Sequence, residues 1–273
     1  MYRDRKIGVV VPAYNEELHI ILVLQGMPDY VDVVYVVDDA STDRTADIVR
    51  DYLAANPQPA NPPTPNPRVE LVQHASNAGV GAAIVTGYKR CLADGMDIAV
   101  VMAGDNQMDP EWLPAVLDPV VSGRADYSKG TRLKDPAHLK GMSPWRRLGN
   151  YTLRFLTVVA SGNRSVTDPQ NGYAAISRDA LEALDLDAVY PYYGYCNDLV
   201  IRLSAQKKRI VETPLPSMYH GEISHIRYHK YIPKVSGLLL RLFVLRITGR
   251  LSKRLPPANA GRVATDHIVE RHV

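Results

Sequence analysis

Apolar and polar residues fall in blocks along the first hundred positions rather than alternating singly. Residues 7–11, 33–37, 69–73 and 98–102 are largely apolar, β-branched runs. Continuous hydrophobicity of this kind suits strands of a parallel sheet covered on both faces. Residues 16–25, 42–55 and 78–93 have helical spacing, with Ser41 and Asp43 where a helix start takes short polar caps. The βαβαβαβ order predicts an α/β fold, a Rossmann-like, mostly parallel sheet flanked by helices. Residues 56–67 interrupt it with six prolines in twelve positions. Such a stretch excludes helix and interior strand and reads as an extended surface connector.

Beyond Gly123 the blocks shorten. A strand over 127–130 precedes a basic loop at 132–147 and a helix over 148–161. A turn-rich segment, 168–173, leads to a strand at 174–177, helices at 179–184 and 197–206, and a strand at 209–213. The last element, 232–251, is both basic and apolar, and shorter in its apolar run than the roughly 20 residues a bilayer span needs. Lys230, Lys234 and Arg241 share one helical face, and Arg246, Arg250, Lys253 and Arg254 crowd its end. Two readings stay open: an interfacial helix whose cations meet lipid phosphates, or a core-packing helix with solvated arginines.

Composition narrows the picture only slightly. With 46% hydrophobic and 22% charged residues the chain is a folded protein, and a net charge of +3 is too mild to imply nucleic acid. Cys91 and Cys196 form neither a disulfide framework nor a zinc pattern and read as reduced thiols. No apolar signal region opens the chain, so a cytoplasmic location is expected.

The candidate chemistry lies at strand ends, where open α/β sheets bind ligands. The run 98–102 stops in a turn carrying Asp105 and Gln107, before a Pro110-Glu111 helix start. A carboxylate and an amide carbonyl are hard oxygen ligands suited to Mg²⁺ or Mn²⁺. The first strand runs into Pro12-Ala13-Tyr14-Asn15-Glu16, offering a ring to stack on a base and a carboxylate to accept from it. The second ends in Asp38-Asp39, placed for ribose hydroxyls or for capping a helix, and two adjacent carboxylates need a donor nearby. Gly79-Val80-Gly81 follows the third strand, not the first, which excludes a dinucleotide fingerprint. These glycines read as a helix start that chain and substrate approach closely.

Val-Pro-Ala-Tyr-Asn-Glu at 11–16, Val-Val-Asp-Asp-Ala-Ser-Thr-Asp at 36–43 and Asn-Ala-Gly-Val-Gly-Ala-Ala at 77–83 resemble, in order and spacing, glycosyltransferase family 2 with its GT-A fold. Within that family the chain is most similar to dolichol-phosphate mannose synthases and polyprenyl-phosphate hexosyltransferases. The resemblance implies that Pro12, Tyr14, Glu16, Val37 and Asp39 hold the nucleotide. It sets the Asp-X-Asp metal motif on Ala103-Gly104-Asp105, whose first acid is missing, and leaves Asp105 and Gln107 as metal ligands for Mg²⁺ or Mn²⁺. Arg132 is implied near the phosphates, His225 and Arg227 at the leaving diphosphate, and Asp168 and Asn171 on the acceptor side. Asp198 matches an acidic base, or serves as a cap for the helix that follows.

The implied organisation is a catalytic domain over 1–228 with an acceptor-side elaboration, an interfacial helix over 229–255 and a disordered tail over 256–273. The implied reaction is inverting transfer of a hexose from a nucleoside diphosphate sugar to a polyprenyl phosphate, on a protein peripheral to the inner membrane face, with a homodimer allowed. Alternatives are a soluble acceptor, such as a sugar nucleotide, and a non-catalytic nucleotide-sugar-binding protein. A sugar nucleotidyltransferase is disfavoured, because 11–16 is not the glycine-rich loop such enzymes carry after strand one.

Overall fold

The computed structural model describes residues 1–57, 67–133, 144–216 and 228–251, with backbone alone at 144–148 and 228–232. Seven strands form one sheet: β1 (Ile7–Ala13), β2 (Val33–Asp38), β3 (Arg68–Gln73), β4 (Ile98–Val101), β5 (Tyr127–Thr131), β6 (Ala174–Ser177) and β7 (Ile210–Pro214). Their spatial order is β3-β2-β1-β4-β6-β5-β7. Only β6 runs against the others, pairing antiparallel with β4 and β5. The apolar runs are strands because nearly every residue of β1, β2 and β4 is buried on one face or the other.

The helices are α1 (Ile20–Gln25), α2 (Thr45–Ala55), α3 (Val80–Ala93), α4 (Leu113–Val121), α5 (Pro144–Ser161), α6 (Arg178–Ala183), α7 (Tyr195–Ala205) and α8 (Tyr228–Ile247). One core cluster fills the α3, α6 and α7 side of the sheet, including Val10, Val37, Tyr88, Tyr127 and Leu199. The other fills the α1 and α4 side, including Val9, Val11, Ile20, Val36 and Leu117. A third cluster joins α5, α7 and α8 through Leu153, Ile201, Val235 and Leu242. Arg246 fastens the ends of that layer, its Nε donating to the Ala160 carbonyl at 2.6 Å. Among the described residues no helix is long and apolar enough to cross a membrane.

Three local expectations are corrected. The first helix starts at Ile20, not at residue 16, because side chains from the loop before α2 hold this stretch in a turn. The backbone N–H groups of Asn15, Glu16 and Glu17 donate to Ser41 Oγ (2.9 Å), Thr45 Oγ1 (2.7 Å) and Asp43 Oδ2 (3.1 Å). Ser41 therefore serves the first loop rather than capping α2, and α2 begins at Thr45. Asp43 does reach its own helix start, accepting from Thr45 N at 2.9 Å. Most of the proline-rich connector (58–66), part of the basic loop (134–143) and the tail lie outside the described residues.

Candidate active site

The parallel pairings bring three loops to one rim. Pro12 and Ala13 stand in register with Val37 and Asp38. On the other side, Gly104 N donates to Pro12 O at 3.1 Å. A Cβ on Gly104 would sit 3.2 Å from that carbonyl and 3.3 Å from Ala13 Cβ, so a small residue lets the exits of β1 and β4 touch. Tyr14 and Glu16 follow one exit and Asp105 the other. Tyr14 is exposed and Glu16 and Asp105 are half-buried. Asp105 Oδ1 accepts the Gln107 N–H at 3.1 Å, which curls the loop around the carboxylate.

Asp39 is buried, and its carboxylate turns toward the start of α3. Ala78 N and Gly79 N donate to it at 2.8 and 2.7 Å, and His74 Nδ1 lies 2.7 Å away. A carboxylate can only accept, so Nδ1 carries a proton, and Nε2 is hydrogen-bonded with the Thr86 hydroxyl at 2.9 Å. Asp38 is met by Gln73 Nε2 at 3.1 Å and Ser41 N at 3.2 Å. The donors that adjacent carboxylates need are thus present, and the cap expected of Asp39 for the helix after β2 is corrected, since its oxygens serve the residues leading into α3 instead. Val37 lies one residue before the end of β2 with its side chain fully buried in the core, where it supports the rim from below.

The glycines at the start of α3 are there for a neighbouring chain segment. Gly79 has φ +97°, and a Cβ there would stand 2.5 Å from Pro191 O; at Gly81 it would stand 2.3 Å from Tyr190 O. Pro191 O accepts from Gly81 N (2.8 Å) and Ala82 N (3.1 Å). The N–H groups at this helix end, which would otherwise attract a phosphate, are therefore taken by Asp39 and Pro191.

That segment, Tyr190 to Gly194, borders the rim, and sequence reasoning did not single it out. The Tyr193 phenol is raised, first by desolvation and then by the carboxylates of Asp105 and Glu16.

On the far side, Arg132 follows β5 and grips Asp168. Its Nε donates to Oδ2 at 2.7 Å and its second guanidinium nitrogen to Oδ1 at 3.0 Å, with the Arg132 N–H also on Oδ2 at 3.2 Å. Burial pushes the Asp168 carboxyl up, but the charge and hydrogen bonds of Arg132, together with Lys129, outweigh it and leave it lowered. Lys129 is fully buried in β5 and donates to the Asp168 carbonyl. Glu212, buried in β7, accepts from Asp168 N at 3.1 Å and Thr167 N at 2.8 Å. Neither Lys129 nor Glu212 stood out in the sequence. Asn171 turns back on Tyr173 N at 2.9 Å, close against Gly130.

Asp198 is not brought to this rim. It sits 0% exposed in the first turn of α7, whose cap is Gly194. Arg202 Nε donates to one oxygen at 2.6 Å and Tyr190 N to the other at 2.7 Å. Burial raises its carboxyl more than Arg202, the Tyr190 N–H and Arg241 lower it. The cap role is corrected, because a cap would precede the helix and Asp198 lies within its first turn. His225 and Arg227, expected at the diphosphate, lie outside the described residues.

Among the described residues no three His, Cys, Asp or Glu side chains form a metal cluster. Asp105 with Gln107 is a sparse oxygen set, which fits a divalent ion that draws its remaining ligands from water and substrate phosphate.

Comparison with known proteins agrees with this geometry. A family model, Glycosyl transferase family 2, matches residues 8–185. The UDP-N-acetylglucosamine–dolichyl-phosphate N-acetylglucosaminyltransferase of Methanococcus voltae is 33% identical, over 79% of this chain and 87% of its own. The polyprenol monophosphomannose synthase of Mycolicibacterium smegmatis is 33% identical, over 76% and 75%. Glucosyl-3-phosphoglycerate synthase of Mycobacterium tuberculosis, solved with Mn²⁺, UDP-glucose and phosphoglyceric acid, superposes with a TM-score of 0.62 at 23% identity, covering 90% of this chain and 80% of that one. That likeness is one of fold, the GT-A arrangement. The chain belongs to glycosyl transferase family 2 and is a hexosyltransferase.

Proposed function

We propose that this enzyme moves a hexose from a nucleoside diphosphate sugar to a polyprenyl phosphate, with inversion at the anomeric carbon. The observation that carries the acceptor is the state of two buried carboxylates, Asp168 and Asp198. Each has both oxygens engaged by an arginine or a backbone N–H. A hydroxyl acceptor must lose a proton to a base, whereas a phosphate arrives as an anion and needs none. The relatives in Methanococcus voltae and Mycolicibacterium smegmatis carry dolichyl phosphate and polyprenol in their names, which supports the same class of acceptor.

In this reading Tyr14 stacks on the base, and Glu16 and the β2 exit at Asp39 bound the nucleoside. Asp105 and Gln107 would hold Mg²⁺ or Mn²⁺, which neutralises charge building on the departing diphosphate. Arg132, fixed by Asp168, presents its guanidinium to phosphate oxygens at the β5 exit. The family resemblance adds His225 and Arg227 as cations for the same diphosphate. A single attack from the face opposite the diphosphate inverts the configuration.

The α5–α8 layer supports work at a membrane surface. Tyr151, Phe155 and Val159 are exposed at every fourth position of α5, and Leu240, Val244 and Ile247 are exposed on α8. Lys234 and Arg241 are exposed on α8, and Arg250 just beyond its end. Apolar stripes among cations suit a protein peripheral to an anionic inner leaflet, with 229–255 as the interfacial unit.

The test incubates the enzyme with radiolabelled UDP-N-acetylglucosamine, UDP-glucose or GDP-mannose, Mn²⁺, and vesicles with or without polyprenyl phosphate. Label passing into the organic phase only with the lipid phosphate is expected. Undiminished transfer without it would turn the reading to a soluble acceptor.

A further inference from the structure

Each loop at the rim turns through a left-handed residue: Asn15 directly after Tyr14 (φ +58°), Ala40 after Asp39 (φ +60°) and Asn106 after Asp105 (φ +58°). None of the three is glycine, and a side chain in this region is strained unless its surroundings hold it there. At Asn15 the hold is explicit. Its backbone N–H donates to Ser41 Oγ at 2.9 Å, and its side-chain Oδ1 accepts from Thr42 N at 2.8 Å and Thr42 Oγ1 at 3.3 Å. Backbone and side chain of one residue thus grip the same dipeptide of the loop after β2. That dipeptide is tied back in turn, because Ser41 N donates to Asp38 Oδ1 at 3.2 Å. On the other side of Tyr14, Ala13 stands in register with Asp38, and its carbonyl accepts from Asp39 N at 2.9 Å. Both chain neighbours of Tyr14 are fastened to the β2 exit, while Tyr14 itself remains 46% exposed.

We infer that Asn15 is a positioning residue for nucleoside recognition, acting through Tyr14. This rests on the donor cleft proposed above, in which the Tyr14 ring stacks on the base. Asn15 and Thr42 are themselves exposed, so water replaces the bonds between them and their loss costs folding little. What the latch fixes is the backbone on either side of Tyr14, and with it the direction of the Tyr14 Cα–Cβ bond. A ring carried on a fastened backbone has only its own rotamer to settle when a base arrives, whereas a ring on a loose loop must also order the loop. The residue type follows from the geometry. Asparagine tolerates the left-handed backbone and supplies the acceptor, whereas glycine supplies the backbone alone.

The experiment compares wild type, Asn15→Gly, Asn15→Asp, Tyr14→Ala and the double variant Tyr14→Ala with Asn15→Gly. Each is assayed with Mn²⁺ and whichever of UDP-N-acetylglucosamine, UDP-glucose and GDP-mannose the wild type uses. The readouts are KM for the sugar nucleotide and Ki for the matching free nucleoside, uridine or guanosine, which carries no phosphate. Asn15→Gly is expected to raise both about fivefold, the scale of one lost hydrogen-bonding group, with kcat nearly unmoved. Asn15→Asp keeps an acceptor and should hold the Ki within about twofold of wild type. Tyr14→Ala should raise both constants about tenfold, the scale of one aromatic contact. In that background Asn15→Gly should add less than about twofold, since residues acting as one unit are not additive. Unchanged constants in Asn15→Gly, an equal rise with and without the Tyr14 ring, or an Asn15→Asp Ki as high as that of Asn15→Gly would each overturn the inference and leave the cleft intact. A Tyr14→Ala variant with wild-type KM and Ki would instead overturn the donor cleft, and the inference with it. Unchanged melting temperatures separate these results from misfolding, which glycine at this φ does not provoke.

Discussion

The two flanks of the sheet handle charge in opposite ways. In β2, β1 and β4 the strands are apolar until Asp38, the last residue of β2, and the acids wait at the exits. In β5 and β7 the charges stand within the sheet: Lys129 is in register with Glu212, and both are buried. Between them they hold the carbonyl and the N–H of Asp168, whose carboxylate in turn fixes Arg132. The first flank is a rigid floor that displays ligand-binding groups. The second is an internal truss that aims one guanidinium. Damage to the first should therefore show in turnover, and damage to the second in stability as well.

The largest effect is expected from Asp105→Ala, which removes the carboxylate set aside for the metal. It should lower kcat about 10³-fold, the scale of losing one major electrostatic contact in a transition state. Melting temperature should hardly move. Intact turnover at saturating Mn²⁺ would show that the floor displays its chemistry elsewhere. Next is Lys129→Met, which takes the buried donor from the Asp168 carbonyl and a nearby positive charge from the Asp168 carboxylate. A loss of about 1–3 kcal/mol in urea unfolding is expected, as for leaving a buried polar group without its partner. A neutral result would mean that Lys129 is not structural.

Gly81→Ala tests the seam between the flanks. The new Cβ would collide with Tyr190 O, at a cost of about 1–3 kcal/mol and with a raised KM for the sugar nucleotide as the Tyr190–Gly194 segment moves against the start of α3. Thermal melting alongside kinetics reads both. A smaller effect concerns acid stability. The folded Asp168 carboxyl is held below the ordinary carboxylate value of about 3.9. Between that value and the depressed one the unfolded chain binds more protons, so stability falls as pH drops through this window. Asp198, raised by burial, has the reverse sign and is strained as pH rises past the ordinary value. Asp168→Asn should flatten the acid limb of a stability–pH curve. A limb of unchanged slope would assign it to other carboxylates. The smallest effect is on vesicle binding, where Phe155→Asp with Leu240→Asp should weaken adsorption to anionic vesicles several-fold, each buried side chain being worth about 1.5–3 kcal/mol at most. Unaltered sedimentation would remove the α5–α8 layer from the membrane.

The floor could be read from the sequence because continuous apolar runs such as 98–102 have few other uses, and because the acids follow them directly. The positions of Asp105, Glu16 and Tyr14 at the strand exits are legible for that reason. The truss could not. Lys129 in Tyr-Ser-Lys-Gly-Thr looks like a solvated residue on a short strand, and only the pairing with β7 shows what it faces. Likewise Tyr190–Tyr193 has no period, and its role depends on α3 arriving from a hundred residues earlier. The late start of α1 had the same origin, since its N–H groups were claimed by side chains from the next loop.

One reversed strand has a consequence for how such a rim can change. Parallel strands reach it only by their ends, so each offers the loop that follows it. Because β6 points the other way, the stretch leading into it, from Asp168 to Tyr173, arrives at the same edge. Insertions there can enlarge the pocket for an incoming partner while every donor-holding loop keeps its length.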